Sequence, residues 1–381
     1  MLDPIVNFIT RIFSWIGRGI GFAVGVILWP FLWAGRWYTQ RGWILKSVVG
    51  VALLVLIGLY ANFFYATQWW NNFNPDYPAA LAQQKSVSVA GGPVNGEPAA
   101  GTAATTAAQQ APSSCKPSAI ADISAQLIDF NVNQNSWVSS MVVSKMGLFG
   151  IAWRRTPFFD NKAAFQLGIN QVLRRTTTEL VDTLGRVRGT SQIDQNLQDA
   201  RTALAWNEDA WYIGWRGPTR PTPSVYREAI GKLRAYNASL EKCQVTFDAR
   251  ADNLMQFLDR IAGDIGSTSD ILRARIDASD AGWLDFRADD RFWFAYGQLY
   301  AYYGILVATR SDFAAVIAER NLNTLWARVE EQARASLNVQ PWIISNGSES
   351  SAFFPSHLAT MGFNLLQVRS NIVEIRSVLD R

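Results

Sequence analysis

Ser47 to Ala66 reads SVVGVALLVLIGLYANFFYA, an uncharged apolar run about as long as a helix needs to cross a bilayer. In hydrocarbon every backbone amide must find its partner within the segment, and a helix meets that demand. The run is expected to be a transmembrane helix. Arg36, Arg41 and Lys46 precede it, and the first charged residue after it is Asp76. The positive-inside rule then puts residues 36–46 in the cytoplasm and the C-terminal bulk outside. Trp37, Tyr38 and Trp43 on one flank and Phe63, Phe64, Tyr65, Trp69 and Trp70 on the other are expected as aromatic belts. Complete lack of charge disfavours a soluble core helix. The late start and length of the run, with no A-x-A site after it, disfavour a cleaved signal peptide.

Upstream, residues 4–29 carry Asn7, Arg11, Ser14, Arg18, Gly21 and Gly25 at alternating steps of four and three, one narrow polar-to-small stripe on a helix. An interfacial or re-entrant helix is favoured over a short span at 19–35, which contains Pro30 and would export Arg11 and Arg18. Downstream, residues 75–118 are rich in Pro, Ala, Gly, Ser, Thr and Gln. Such composition cannot bury enough apolar surface to offset its ordering entropy, so a flexible tether is expected.

From Ala119 the periodicity is helical. A seam of Ala229, Leu233, Tyr236, Leu240, Cys243, Phe247, Ala251, Leu254, Leu258, Ile261 and Ile265 predicts one long helix from Pro223, ending near Gly263 and Gly266. Leu358, Met361, Leu365, Val368, Ile372, Ile375 and Leu379 form a strict heptad seam in the last helix. Shorter helices are expected at 119–133, 162–186, 192–206 and 322–336. Aromatics surround the stretch from Asp289 to Glu319, which places it at the centre of a bundle. The expected fold is all-α: a basic, amphipathic segment 1–46, a transmembrane helix 47–66, a juxtamembrane segment and tether 67–118, and a periplasmic helical bundle 119–381 with two long heptad-patterned helices.

The net charge of +4 changes this picture little. Residues 1–74 hold Arg11, Arg18, Arg36, Arg41 and Lys46 against Asp3, and the remainder balances. The basic excess therefore belongs to the membrane flank, where it can meet anionic lipid. The large domain has no net field for a nucleic acid. Cys115 and Cys243 are a candidate disulfide in an oxidising compartment. The competing reading makes Cys243 a small core residue on the helical seam.

Catalytic signals are scarce. The single histidine, His357, rules out clustered imidazole ligation within one subunit and reads as a helix-start residue. Walker, dinucleotide-binding, G-x-S-x-G and C-x-x-C motifs are all missing. Asp289–Asp290 and Glu330–Glu331 are adjacent pairs, and adjacent acids on a helix point different ways. Asp289 and Asp290 are expected to complement the start of the aromatic helix. No cofactor or metal is expected.

Two loops stand out: Trp153, Arg154, Arg155, Phe158 and Phe159 in one, and Trp211, Tyr212, Trp215 and Arg216 in the other. They are candidate interaction surfaces, although the favoured reading has their aromatics closing the bundle core. The RWYTQRGW lead-in, the single span and the TPFFDNKAAFQLG stretch at 156–168 resemble a family of uncharacterised proteobacterial proteins. That resemblance implies an inner-membrane anchor with a helical domain outside, and no catalytic residues. Expected partners are inner-membrane lipid, other envelope proteins and, through the last heptad seam, a second copy of the chain; intramolecular packing of that seam is favoured. The expected function is a periplasmic structural or interaction protein on a membrane anchor. The alternatives are a carboxylate-dependent envelope enzyme and an accessory sensor acting through a partner.

Overall fold

The apolar run forms the middle of helix α2 (Trp43–Gln68), in a fold that is mostly helical. The structure, a computed structural model, describes residues 3–79, 115–148, 151–153, 156, 158–186, 192–214, 216–278, 285, 287–347 and 355–381. Side chains 3–14, 16, 20, 23, 27 and 31 lie outside that description, as do Arg154, Arg155, Trp215 and most of the expected tether. The chain divides into two units, Met1–Asn62 and Phe63–Arg381.

In the first unit, helix α1 (Asp3–Thr39) bends by 40° between Gly17–Val26 and Leu28–Thr39. Pro30 accounts for the bend, because its ring clashes with the carbonyl four residues back, at Val26. A short turn leads into α2, where the Tyr38 hydroxyl donates to the Lys46 carbonyl at 3.2 Å. The apolar window of α2 has a mean hydropathy of 2.3 and none of it is buried. So much exposed Leu, Val and Ile on one helix marks a membrane anchor or a signal segment.

The second unit holds α3 (Ala119–Asp129), α4 (Val142–Met146), α5 (Asn161–Glu179), α6 (Gln195–Leu204), α7 (Thr222–Glu241), α8 (Ala251–Asp277), α9 (Ala288–Asp312), α10 (Ala314–Glu319), α11 (Asn323–Ser336) and α12 (His357–Leu379). A two-residue hairpin, β1 (Ile213–Gly214) with β2 (Gly217–Pro218), interrupts them. α9 is the central helix, packed most extensively on α5 and also on α3, α8, α11 and α12. Phe292, Tyr296, Tyr300 and Tyr302 are all buried along it, as the aromatic distribution predicts. α12 lays its whole heptad seam, from Leu358 to Leu379, into the core, mainly against α8.

The long helix expected from Pro223 to Ile265 is instead two. α7 stops at Glu241, Cys243 takes a left-handed φ of 57°, and α8 restarts at Ala251. Cys243 is bonded to Cys115, and the Asp248 amide donates to the Leu184 carbonyl at 2.7 Å. Both tie the connection to other parts of the chain, so the apolar seam runs across a break. Gly263 and Gly266 lie inside α8 and do not end it. The disulfide closes a sequence separation of 128 residues, which in the chain-entropy model stabilises the fold by about 4–5 kcal/mol. Beside it the Asp312 carboxylate caps α3, accepting from the Ser118 hydroxyl at 2.8 Å and from the Ala119 amide at 2.7 Å.

The segment just beyond the apolar run also departs from expectation. Phe63 is fully buried, its ring 4.7 Å from Trp153. Trp70 packs on Phe165 at 4.9 Å and Trp293 at 5.1 Å. Phe73 and Tyr77 stack on Tyr300, and Asp76 pairs with Arg334. Phe63 and Trp70 are therefore core residues and no part of an aromatic belt, and residues 75–79 are part of the domain and no part of a tether. Full burial, as at Phe63, contributes about 1.5–3 kcal/mol, and the half-buried Trp70, Phe73 and Tyr77 contribute less each; their partners lie far away in sequence.

Candidate functional site

Two places combine buried polar groups with unusual geometry. The first is the root of α2. A helix ends with carbonyls that lack intrahelical partners, and here a buried lysine meets them. Lys162, on the first turn of α5, donates to the Ala66 carbonyl at 2.9 Å and to the Trp69 carbonyl at 2.6 Å. The positive charge complements the negative end of the helix dipole. Burial pulls the Lys162 ammonium down to about 8, so it stays mostly charged at neutral pH. Asn135 secures the next turn: its Oδ1 accepts from the Asn71 amide and its Nδ2 donates to the Asn71 carbonyl, both at 3.0 Å.

The second place is a cavity of about 860 Å³ lined by Asp160, Asp290, Asp209, Lys145, Arg275 and Arg291, among others. Asp160 precedes α5 and its side chain does not cap the helix. Asp289 and Asp290 sit in the first turn of α9. Asp160 and Asp289 are each 4% exposed, and among the described residues no hydrogen bond of normal geometry reaches either carboxylate; only nearby backbone amides partly offset their burial. A buried carboxylate without donors resists ionisation. Burial, reinforced by Asp290 and Asp289, raises the Asp160 carboxyl well above the carboxylate range, and its protonated form can bond to Asp290. Burial and Asp290 push Asp289 up to about 7.

Burial of an acid is not itself unusual in this domain. Asp264 accepts from Tyr302 at 2.7 Å, Gln171 at 2.7 Å and Gln298 at 3.0 Å. At Asp285, burial would raise the carboxyl, but hydrogen bonds from Arg275 and Asn346 outweigh it and hold it below its ordinary value. What sets Asp160 and Asp289 apart is that, among the described residues, no side-chain donor reaches them.

This has a consequence for stability. The folded domain keeps protons on Asp160 and Asp289 that the unfolded chain releases above about pH 4. Stability is therefore expected to fall as pH rises from about 5 to 8. Asp160→Asn should flatten that fall and add on the order of 2–4 kcal/mol at pH 8, read by urea unfolding across the pH range.

Among the sequence-derived candidates, Trp153 is a core residue, 6% exposed, with its indole N–H donating to the Val143 carbonyl at 2.7 Å. Phe159 is half-buried beside it, at 5.1 Å, and Phe158 is exposed. Trp211 is half-buried, while Tyr212 and Arg216 are exposed. Arg154, Arg155 and Trp215 lie outside the described residues. The cavity brings Trp153 and Phe159 of one loop to Asp209 of the other; Trp211, Tyr212 and Arg216 do not line it. His357 is a helix-start residue: burial holds it below its ordinary value, and its Nδ1 accepts from the Ser345 amide at 3.0 Å.

Sequence reasoning missed Asp160 and Lys162, whose only signal is their place in the aromatic-to-helix stretch TPFFDNK. Asp289 and Asp290 do open the aromatic helix, but their proximity to Asp160 has no sequence signature. Among the described residues no group of His, Cys, Asp and Glu is placed to hold a metal ion. No curated protein and no solved structure shows detectable similarity to the chain. Over part of its length, residues 152–282, the chain matches the model of DUF2333, a family described as an uncharacterized protein conserved in bacteria.

Proposed function

We propose that this chain is a structural or interaction protein of the bacterial envelope, anchored by one pass through the inner membrane. Its N-terminal residues lie in the cytoplasm and its helical domain in the periplasm. α2 supplies the span, and Arg36, Arg41 and Lys46 supply its inner flank. The Cys115–Cys243 bridge fits an oxidising compartment. The observation that carries the reading is that residues 63–79 belong to the domain unit, with Trp70, Phe73 and Tyr77 packed against its core. A domain joined this closely to its anchor stays at the membrane face, where its effective concentration for membrane-bound partners is high. Exposed Tyr212 and Arg216 beside half-buried Trp211 are the surface offered to such a partner.

The test is in-cell photo-crosslinking of the full-length protein from positions 212 and 216, with protease added to spheroplasts in parallel. The reading expects discrete adducts with an envelope protein and digestion of the helical domain from outside. Absence of any adduct from either position contradicts the interaction role, and protection of the domain contradicts the location.

A second reading, a carboxylate-dependent envelope enzyme, draws on the cavity. An acid that stays protonated next to a second carboxylate is the arrangement general acid–base chemistry uses, and Asp160 and Asp290 provide it. The two readings part at Asp160→Asn. The interaction reading expects both the adducts and the cellular role to be unchanged, and the enzymatic one expects loss of the cellular role with the adducts intact.

A further inference from the structure

Three stretches distant in sequence meet where α2 joins the helical domain: residues 64–69, Phe158 and the loop between α11 and α12. Thr67, Gln68, Phe158 and Trp342 line one depression of about 580 Å³. The Gln68 side chain donates to the Phe158 carbonyl at 3.0 Å. Trp342 is 97% exposed and Ile343 62%. Phe64, Tyr65 and Trp69 are also more than half exposed.

A tryptophan this exposed leaves an indole of apolar surface in water, which is unfavourable by about 2–3 kcal/mol. The loop that carries it is nevertheless held on both sides. Gln340 donates to the Tyr296 hydroxyl at 3.0 Å and to the Leu337 carbonyl at 3.1 Å. Ile344 is buried, and the Ser345 amide donates to His357. Trp342 and Ile343 thus project from a fixed base.

No charged residue occurs in 62–75, 156–159 or 338–347. The patch is continuous with the last turns of α2, whose preceding turns are apolar and exposed. Tryptophan and tyrosine with an apolar neighbour are the side chains that settle at a lipid headgroup boundary. We propose that Trp342 and Ile343, together with Tyr65, Trp69 and Phe158, form a lipid-docking face that seats the domain in the interfacial zone of the leaflet it adjoins. This rests on α2 being a membrane anchor.

The test uses the full-length chain in vesicles of phosphatidylethanolamine and phosphatidylglycerol. Cys115 and Cys243 are bonded to each other, so a thiol introduced by Trp342→Cys is the one that labels. An environment-sensitive fluorophore is attached there and, in a separate protein, at Tyr212→Cys. Lipid carrying a nitroxide near its headgroup is the quencher, and carbonate washing reports whether the protein stays in the bilayer. Docking predicts retention, a blue-shifted emission at position 342 and quenching about twofold or more above that at position 212. Retention with equal quenching at the two positions overturns the docking face and leaves the anchor standing. Release by carbonate overturns the anchor and the docking face together.

Discussion

Gly297→Ala is expected to cost the helical domain about 3 kcal/mol or more. Gly297 on α9 and Gly168 on α5 face each other where these helices cross. A Cβ at Gly297 would lie 2.1 Å from the Phe165 carbonyl oxygen, and one at Gly168 would lie 2.1 Å from the Phe294 carbonyl oxygen. Backbone cannot yield as a side-chain end can, so the helices would have to separate. Phe165, 6.0 Å from Tyr296 and 5.4 Å from Tyr300, would lose its packing with them. In an ordinary helix interior the same change is favourable by about 1 kcal/mol. Gly263 in α8 provides that control, because a Cβ there would meet open space. Urea unfolding followed by helical circular dichroism reads both. Equal, small effects of Gly297→Ala and Gly263→Ala would refute the close crossing.

Lys162→Met has the second largest expected effect. It removes two charge-assisted hydrogen bonds and leaves the Ala66 and Trp69 carbonyls at the foot of α2 without their partner. Losing a charged donor while burying its acceptors costs about 2–4 kcal/mol. The loss should also be local. Trp70, Phe73 and Tyr77 follow directly, so residues 63–79 should open at a lower free energy than the rest of the domain. Limited proteolysis should then cut near residue 70 before it cuts α9. Cleavage unchanged from the parent protein would show that the lysine does not hold this segment.

These two sites mark where sequence reading reached and where it stopped. The α12 heptad was legible because its apolar positions all serve one side: Leu358, Met361, Leu365, Val368, Ile372, Ile375 and Leu379 are all buried. The aromatic helix was legible as central because its rings point in every direction. The break between α7 and α8 was not. Cys243 continues the apolar seam, and what stops the helix is a left-handed residue bonded to Cys115. Phe63 and Trp70 were misread as belt residues because aromatics beside an apolar span look alike whether they meet lipid or protein, and Tyr77 was misread as tether. Their partners, Phe165, Trp293 and Tyr300, lie about 90–230 positions away along the chain. For the same reason the juxtaposition of Asp160 with Asp289 and Asp290, which defines the acidic side of the cavity, cannot be read from spacing. Local patterns report burial along one element. They carry no record of which distant element does the burying.

The central claim is that the segment leaving the apolar helix is built into the domain, with no free linker between them. Native-state amide hydrogen exchange on the full-length protein tests it most directly. The Asn71 amide donates to Asn135 at 3.0 Å and the Tyr77 amide to Asn74 at 3.1 Å, and the neighbouring rings of Trp70, Phe73 and Tyr77 pack on Phe165 and Tyr300. The account predicts that these amides exchange as slowly as those of α9 and lose protection only when the whole domain unfolds. Exchange of Asn71 and Tyr77 at the rate of an unstructured chain, while α9 remains protected, would contradict it.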